Sequence, residues 1–326
     1  MTVPTVLLTG VGKRYDIVSA FARHARVVAA DPSPLAPAQY AADVHVAPPR
    51  ADAPEYVPFL AELVERHGAC AVIPLTDLDL EVLARSDLPA WVPDAEVCAA
   101  TFDKHLAHRL LESHGLPSPP TWLPGEDPLA FPAVVKPRKG SGSRSIHRCA
   151  DAREAEFFAN YVKEPVMVQR MLDGPEFSVD VLCDRDGRCL NAIPRTMLES
   201  RGGESIKGTA IADPELIDLG RAVAEALPLR GPATIQMFRD RELGLRVTDI
   251  NARFGGAFAC PMYAALPGRT YPELMVRMAT GERVEPHVGE FLAGRTFTRF
   301  FWQIELDEQL RPTGRDIVPD GPRAPR

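Results

Sequence analysis

The sequence lacks the patterns that mark several common classes of protein. None of its six cysteines belongs to a Cys-x-x-Cys pair, and no group of histidines and cysteines has the spacing of a zinc site. No apolar run is long enough to span a bilayer, and the first apolar segment follows Met1 without a charged leader. No block of basic residues offsets the net charge of −7. These absences predict a cytoplasmic protein with reduced cysteines that binds neither membranes nor nucleic acids.

A phosphate-binding loop of the Walker type is also missing, but another glycine-rich basic segment occupies residues 133–147. Residues 133–135 are small or β-branched and predict a strand, which ends at Lys136-Pro137. The glycines and serines that follow allow backbone amides to form an anion-binding concavity, and Lys136 would add a point charge. The segment therefore predicts a flap between antiparallel strands that holds a phosphate. An ordinary hairpin with a basic tip is the alternative.

At 326 residues the chain can hold two or three domains. Its first 98 residues alternate predicted strands (5–9, 27–30 and 71–74) with predicted helices (17–24 and 56–66), which favours a parallel α/β sheet. Gly10, Gly12 and Asp31 resemble a dinucleotide-binding fingerprint. Tyr15, however, stands at the position of the third glycine. Nicotinamide or flavin binding is therefore the less favoured alternative, and a structural or substrate-shaping role is the more favoured one.

Polar residues follow the third of these strands. Thr76, Asp77 and Asp79 fall at the carboxyl edge of the sheet, where open α/β sheets bind ligands. We expect them either to line a substrate pocket or, as the favoured alternative, to cap the next helix.

Helix signals become clear from Thr101 onward. Thr101 is predicted to cap a helix over residues 102–114, and Lys104 falls in its first turn, where a cation opposes the helix dipole. That unfavourable position suggests a functional use for Lys104. Asp151 and Asp213 predict the starts of two later helices.

Two predicted strands, 234–238 and 245–251, are joined by a polar turn. If the hairpin is symmetric, Gln236 faces Asp249, and period-2 alternation puts Asn251 on the same face. Oxygen ligands of this kind suit Mg²⁺, which commonly bridges a protein carboxylate and substrate phosphates. A solvated outer face of the sheet is the alternative. A phosphate flap and a metal-binding face in one chain together favour a nucleoside triphosphate as ligand.

These motifs, in this order, resemble the ATP-grasp superfamily, and in particular its carbamoyl-phosphate-synthase large-subunit-like branch of carboxylate–amine ligases. The resemblance extends from Val6 to about Gly281 and includes residues 7–14, 41–43 and 72–77. It implies an N-terminal Rossmann-like parallel α/β domain followed by a two-subdomain α+β ATP-grasp fold. The implied domains are 1–98 (pre-ATP-grasp α/β domain), 99–167 (small lid subdomain), 168–290 (large subdomain) and 291–326 (C-terminal strand and loosely ordered tail).

The resemblance also implies ATP and Mg²⁺ (or Mn²⁺) as cofactors and assigns roles to particular residues. Phosphate contacts fall to Lys104 and Lys136, with Gly140, Ser141, Gly142 and Ser143 closing over them. Gln169, Met171 and Leu172 fall at the adenine, partly through backbone groups, and Glu176 falls at the ribose. Gln236, Asp249 and Asn251 take the metal positions, and Arg253 steadies the transferred phosphoryl group. Asp249 stands where most members carry glutamate, and Ala252 stands where proline is common.

In this family ATP phosphorylates a carboxylate, and an amine then attacks the acyl phosphate. The expected partners are therefore small-molecule carboxylate and amine substrates, and a homodimer is left open. Arg195, Lys207 and Arg299 are further cations expected near the site, one of which could pair with a substrate carboxylate. A nucleotide-binding regulator without turnover and a Rossmann oxidoreductase are the alternative functions.

Overall fold

The structure is a computed structural model that describes residues 3–128, 130–140, 145–201, 204–255 and 260–314. Within these ranges the strands form three four-stranded sheets and one three-stranded sheet. The first sheet is parallel and the others are antiparallel. This combination of a parallel α/β part and α+β parts is the predicted fold class.

The parallel sheet organises the first part of the chain. The elements there are β1 (Thr5–Thr9), α1 (Tyr15–Phe21), β2 (Arg26–Ala30), a 3₁₀ helix (Pro37–Ala41), β3 (Val44–Val46), α2 (Tyr56–His67), β4 (Ala69–Pro74) and α3 (Leu80–Ala84). The strands lie in the order β3-β2-β1-β4, which confirms the predicted parallel sheet. Strand β1 is buried on both faces, because Val6 and Leu8 belong to one core and Leu7 to another.

The turn after β1 explains the dinucleotide-like pattern. The Gly12 amide donates to Asp31 Oδ2 at 2.8 Å, and the Ser33 amide donates to Asp31 Oδ1 at 2.9 Å. Gly10 has a φ of +59°, and a Cβ there would lie 2.3 Å from Thr76 Cγ2. The two glycines and Asp31 therefore hold the turn in place, which matches the structural role favoured above.

The residues after β4 differ from the favoured expectation of helix capping. Asp79 directly precedes α3, but its carboxylate makes no capping hydrogen bond. Its Oδ2 instead accepts hydrogen bonds from the hydroxyls of Thr9, at 2.6 Å, and Tyr56, at 2.7 Å. The reason is that Asp79 is fully buried beneath the sheet edge, where two hydroxyl donors reach it.

The helix predicted over residues 102–114 is α5 (Lys104–Ser113), which begins two residues later than predicted. A separate helix, α4 (Ala95–Phe102), precedes it, so the predicted cap at Thr101 is wrong. Thr101 lies inside α4, and its hydroxyl donates to the Val97 carbonyl at 2.9 Å. Asp103 is extended and caps α5, accepting from the His105 and Leu106 amides. Lys104 begins α5, so its predicted place in the first turn is confirmed.

The next sheet carries the flap. Its elements are β5 (Thr121–Trp122), β6 (Ala133–Pro137), β7 (His147–Cys149), α6 (Ala152–Tyr161) and β8 (Val166–Arg170), with strand order β5-β8-β6-β7. Strands β6 and β7 pair antiparallel, as predicted for a flap between them. Asp151 caps α6 by accepting from the Arg153 and Glu154 amides, which confirms that predicted start. Ser141–Arg144 lie outside the described residues.

The strands of the largest sheet are β9 (Glu176–Cys183), β10 (Cys189–Thr196), β13 (Gly231–Asp240) and β14 (Gly244–Asn251), in the order β10-β9-β13-β14. One long helix, α7 (Pro214–Ala226), covers one face of this sheet. Asp213 caps α7 through the Leu216 amide, as predicted. In the β13–β14 hairpin Gln236 pairs with Asp249 as predicted. The assumed symmetric hairpin is wrong, because the register shifts at the next residue, where Met237 pairs with Val247.

A smaller sheet extends from β10. It consists of β11 (Glu199–Arg201), β12 (Glu204–Thr209) and β15 (Thr296–Thr298), in that order. Helices α8 (Cys260–Tyr263) and α9 (Tyr271–Ala279) precede β15. The tail predicted to be loosely ordered lies, from residue 315 onward, outside the described residues. No helix in the described ranges is long and apolar enough to cross a membrane.

Candidate active site

One face of the largest sheet is polar. Residues that pair across neighbouring strands project from the same face, so the strand register defines two polar rows. The first row contains Arg195, Ser178, Gln236 and Asp249, and the second contains Asp180, Thr234 and Asn251. The opposite face carries Val179, Ile235 and Ile250, which pack in the core beneath α7. The core beneath α7 therefore uses one face. The opposite face is polar along these two rows and apolar at its far end, where Leu182 and Ile193 join another core.

Lys136 lies at the centre of the charges near this face. Its Nζ donates to Gln169 Oε1 at 2.9 Å. Burial lowers the pKa of Lys136 to about 8. The negative charges of Asp249 and Glu176 raise this pKa, and the positive charge of Lys104 lowers it, but each of these effects is smaller than that of burial. Two carboxylates and a second ammonium group thus act on Lys136 directly. No described residue forms an ion pair with it, so its charge is available to an anionic ligand.

Glu176, at the start of β9, belongs to the same group of charges. Its pKa is raised chiefly by burial. The positive charge of Arg195 and, more weakly, that of Lys136 lower it, whereas Asp249 raises it. Glu176 and Asp249 are therefore close enough to repel one another, and a cation or a hydroxyl-rich ligand between them would relieve that repulsion.

The start of α5 is fastened to the start of the flap. Lys104 Nζ donates to the Gly140 carbonyl at 2.7 Å, and the Lys104 amide donates to the Arg138 carbonyl at 2.8 Å. Arg138 in turn forms an ion pair with Asp103, with Nη2 2.8 Å from Oδ2. Of the predicted flap residues, Gly140 is placed here, whereas Ser141, Gly142 and Ser143 lie outside the described residues. Lys139 is exposed, with Nζ 5.6 Å from the centroid of the Phe102 ring.

The predicted adenine residues lie where the flap sheet joins the largest sheet. Gln169 is buried in β8, and its Nε2 donates to Thr121 Oγ1 at 2.9 Å while its Oε1 accepts from Lys136. Met171 and Leu172 follow β8 directly, and the Met171 amide donates to the Pro132 carbonyl at 2.9 Å. The Gln169 side chain thus fixes the position of the Lys136 ammonium group. A small cavity beside it is lined by residues of α5, β8 and β14, among them Lys104, Gln169 and Asp249.

The predicted metal ligands have the donor chemistry of a magnesium site. Gln236 and Asp249 are direct cross-strand partners, and Asn251 Nδ2 lies 3.3 Å from Asp249 Oδ2. All three are half-buried, so they remain accessible to a ligand. One carboxylate with two amide oxygens is a typical hard-cation donor set. Within the described ranges no group of three His, Cys, Asp or Glu side chains could hold a metal ion.

Arg253 lies just beyond this set and is almost completely buried. Its Nη2 donates to Asn251 Oδ1 at 3.0 Å, and its Nη1 donates to the Phe254 carbonyl at 2.9 Å. Asp77 of the first domain accepts from both its Nε and its Nη2. Because a carbonyl oxygen has two lone pairs, Asn251 Oδ1 can accept from Arg253 and still face a cation.

Arg195 is placed on the polar face but is already paired. Its Nε donates to Asp180 Oδ2 at 2.7 Å, and Thr234 Oγ1 donates to Asp180 Oδ1 at 2.7 Å. Sequence reasoning missed Asp180, Thr234 and Ser178. The period-2 alternation of Glu176, Ser178 and Asp180 was the available signal, because it places all three on the face of Gln236 once the strand pairing is known.

Lys207 and Arg299 lie apart from the polar face, on and beside the three-stranded sheet. Lys207 Nζ forms an ion pair with Glu199 Oε2 at 2.6 Å, and both side chains are about half exposed. The Arg299 amide donates to the Ile206 carbonyl at 2.9 Å. Burial raises the pKa of Asp16, and the guanidinium charge of Arg299 partly offsets this increase. Among the predicted cations, these two are not brought together with Lys136 and Asp249.

Comparison with known proteins shows which proteins this chain resembles. Residues 162–296 match a family described as ATP-grasp in the biosynthetic pathway with Ter operon, and residues 6–89 match the PylC-like N-terminal domain. A D-alanine–D-alanine ligase from Alcanivorax borkumensis is 26% identical over 231 residues, which cover 65% of this chain and 70% of that protein. A carbamoyl phosphate synthase large chain from Agathobacter rectalis is 24% identical over 245 residues, covering 68% of this chain and 22% of that one.

Solved structures show the same fold. A biotin carboxylase from Campylobacter jejuni superposes with a TM-score of 0.71 at 16% identity, covering 90% of this chain and 74% of that chain. An L-amino acid ligase from Bacillus licheniformis gives 0.69 at 17% identity, covering 91% and 79%. The chain therefore has an ATP-grasp fold, and its residues 162–296 match an ATP-grasp family. It spans only 14% and 33% of the length of two other curated relatives that it matches.

Proposed function

We propose that the protein is an ATP-dependent ligase. It would activate a carboxylate as an acyl phosphate, join it to an amine, and release ADP and phosphate. The observation that carries this proposal is the convergence of Lys136, Glu176 and Asp249 beside the polar sheet face, with Lys104 at the start of the flap. Cations that lack a carboxylate partner, next to a carboxylate with amide neighbours, are what a magnesium triphosphate requires.

Lys136 would contact the transferred phosphate, because its ammonium group is held in place by Gln169 and has no described ion-pair partner. Lys104 would contact a neighbouring phosphate from the first turn of α5, next to the flap. Gln236, Asp249 and Asn251 would hold Mg²⁺, which when bound neutralises charge on the phosphate oxygens. Met171 and Leu172 would meet the adenine at the junction of the two sheets, and Glu176 the ribose hydroxyls.

Arg253 would steady the transferred phosphoryl group, since it directly follows the metal-binding strand and its guanidinium is fixed by three neighbours. Phosphoryl transfer depends on positioning and on charge neutralisation, and needs no nucleophilic side chain from the protein. Arg195, fixed by Asp180, would contribute positive charge on the Glu176 side of the site.

The relatives support this reaction class. Their names include a D-alanine–D-alanine ligase, an L-amino acid ligase and an N5-carboxyaminoimidazole ribonucleotide synthetase from Thermotoga maritima. We infer small-molecule carboxylate and amine substrates for this chain on the same pattern.

The test is a product analysis. The protein with Mg²⁺ and ATP is screened against amino acids, dipeptides and small carboxylates, and ADP release is measured. We expect ADP and orthophosphate from a subset of substrate pairs, and we expect hydroxylamine to convert the activated acid into a hydroxamate. Formation of AMP and pyrophosphate would show an adenylate intermediate and refute the acyl-phosphate route.

A further inference from the structure

The ion pair between Asp77 and Arg253 joins two distant parts of the chain. Asp77 follows β4 in the first domain, and Arg253 follows β14 in the largest sheet. Nε and Nη2 of Arg253 donate to the same oxygen, Asp77 Oδ2, at 3.1 and 2.6 Å. The Arg253 and Asp77 side chains are only 8% and 22% exposed, so the pair is shielded from bulk water. A contact of this kind is stronger and more specific in orientation than a surface ion pair.

Asp77 determines the orientation of the guanidinium group. The other partners of Arg253 are neutral, namely the Phe254 carbonyl on Nη1 and the Asn251 side-chain oxygen on Nη2. Among the described residues Asp77 is the carboxylate that pairs with Arg253. Loss of its charge would leave the Nε side of the planar group without an anionic partner, and the group could then rotate.

The turn that carries Asp77 is itself held rigidly. The Leu75 amide donates to the Thr9 carbonyl at 2.8 Å, and Gly10 lies against Thr76 so closely that a Cβ would collide. Asp79 is anchored by the Thr9 and Tyr56 hydroxyls, although its Oδ1 has no partner within the described ranges. A buried carboxylate oxygen without a donor costs free energy. Asp79 nevertheless helps to hold the turn in place, through its hydrogen bonds with Thr9 and Tyr56.

We propose that Asp77 is a positioning residue that orients Arg253 toward the transferred phosphoryl group. The first domain then contributes to phosphoryl transfer itself and is more than a scaffold beside it. This inference rests on the proposed function, because it assigns Arg253 to the phosphoryl group.

The test compares two isosteric variants. Asp77→Asn removes the charge that orients Arg253. Asp94→Asn is the matched control. Asp94 also lies in the first part of the chain and forms an ion pair with a distant arginine, Arg230, at 2.7 Å, but this pair is more exposed. We expect Asp77→Asn to lower kcat about tenfold to 10²-fold with KM for ATP nearly unchanged, because small misplacement of a transition-state group acts on kcat. Asp94→Asn should change neither.

A double-mutant cycle with Arg253→Lys distinguishes a specific effect on Arg253 from a general destabilisation of the fold. If Asp77 acts through Arg253, Asp77→Asn should have almost no further effect on kcat in the Arg253→Lys background. Independent, multiplying effects of the two changes would overturn the proposal. Equal effects of Asp77→Asn and Asp94→Asn would overturn it as well.

A binding measurement separates this proposal from the proposed function. The affinity for MgADP is measured with and without fluoroaluminate, a mimic of the phosphoryl group in flight. We expect fluoroaluminate to tighten binding in the wild type and in Asp94→Asn, and about tenfold less in Asp77→Asn. If the protein shows that pattern but releases no ADP with any substrate, the result supports the positioning role of Asp77 and argues against the proposed ligase activity. No tightening in the wild type would overturn the role given to Arg253 and, with it, that of Asp77.

Discussion

The carboxyl edge of the parallel sheet and the polar face of the largest sheet both concentrate acidic side chains, but they satisfy them differently. At the sheet edge both oxygens of Asp31 accept backbone amides, and Asp79 accepts two hydroxyls. On the polar face Asp180 is likewise satisfied by Arg195 and Thr234. Among the described residues, however, Asp249 accepts a hydrogen bond only from Asn251, at 3.3 Å, and Lys136 is bonded to a neutral amide. The fold itself satisfies both oxygens of Asp31 and one oxygen of Asp79, whereas Asp249 keeps acceptor capacity for a charged ligand.

This difference separates a structural cluster from a binding site without reference to any relative. A carboxylate whose oxygens already accept hydrogen bonds from the protein has few acceptor positions left for a ligand. Carboxylates and ammonium groups that shift one another's pKa without forming ion pairs can still bind a charged ligand. Substitutions in the two regions should therefore have opposite consequences for stability and for binding.

The largest expected effect is on the polar face. Asp249→Asn removes the single carboxylate of the metal set without changing its shape, so turnover should fall by at least about 10²-fold. The melting temperature should stay the same or rise slightly, because relief of charge repulsion at a functional site often stabilises a protein. Activity is followed as a function of Mg²⁺ concentration. The control is Asp249→Glu, which restores the family's usual residue and should retain activity with an altered Mg²⁺ dependence.

The second effect separates two lysines of the same flap. Lys136→Ala should lower the rate by about 10²-fold, by analogy with the loss of one preorganised stabilising group. Lys139→Ala, whose ammonium group lies over the Phe102 ring at an exposed position, should change it by less than about threefold. Initial rates at saturating ATP measure both. Small and equal effects would mean that the flap is only a basic hairpin.

The third effect is a pH dependence. In the free protein the pKa of Lys136 is lowered to about 8, so the ammonium form is progressively lost above that pH. Affinity for MgATP should weaken as the pH rises through about 8, and Lys136→Met should flatten that profile. Stability should change in the opposite sense. The folded chain releases this proton before the unfolded chain does, so the unfolding free energy should rise between about pH 8 and the ordinary pKa of lysine. Titration calorimetry and thermal melts over this range check both signs.

The smallest effect on binding is expected at the sheet edge. Asp31→Ala removes the acceptor for the Gly12 and Ser33 amides and should cost about 1–3 kcal/mol of stability. The affinity for MgATP, measured well below the melting temperature, should stay within about twofold of the wild type. A large loss of affinity without a loss of stability would show that Asp31 binds a ligand.

Patterns that depend on neighbouring residues could be predicted from the sequence. The caps at Asp151 and Asp213 followed from local residue types. The pairing of Gln236 with Asp249 was predicted from a symmetric hairpin, whereas the structure reaches it through a shift in register next to Met237. The cap at Thr101 failed because Asp103, two residues later, is the stronger side-chain acceptor and begins a separate helix.

Contacts between distant segments could not be predicted in this way. The burial of Asp180 with Arg195 and Thr234 depends on the order of β9, β10 and β13, and the pairing of Asp77 with Arg253 spans 176 positions. Nothing in the local sequence around either aspartate specifies its partner. The roles given to the individual site residues, and the domain boundaries near residues 98, 167 and 290, remain predictions.

The proposed role of Gln236, Asp249 and Asn251 is to hold a divalent cation beside the nucleotide phosphates. Binding of Mn²⁺ in place of Mg²⁺, followed through the relaxation of water protons with and without ADP, measures this role. We expect ADP to strengthen Mn²⁺ binding to the wild type, and we expect Asp249→Asn to abolish this gain while the protein stays folded. Equal Mn²⁺ binding by the two proteins in the presence of ADP would show that these residues do not hold the cation.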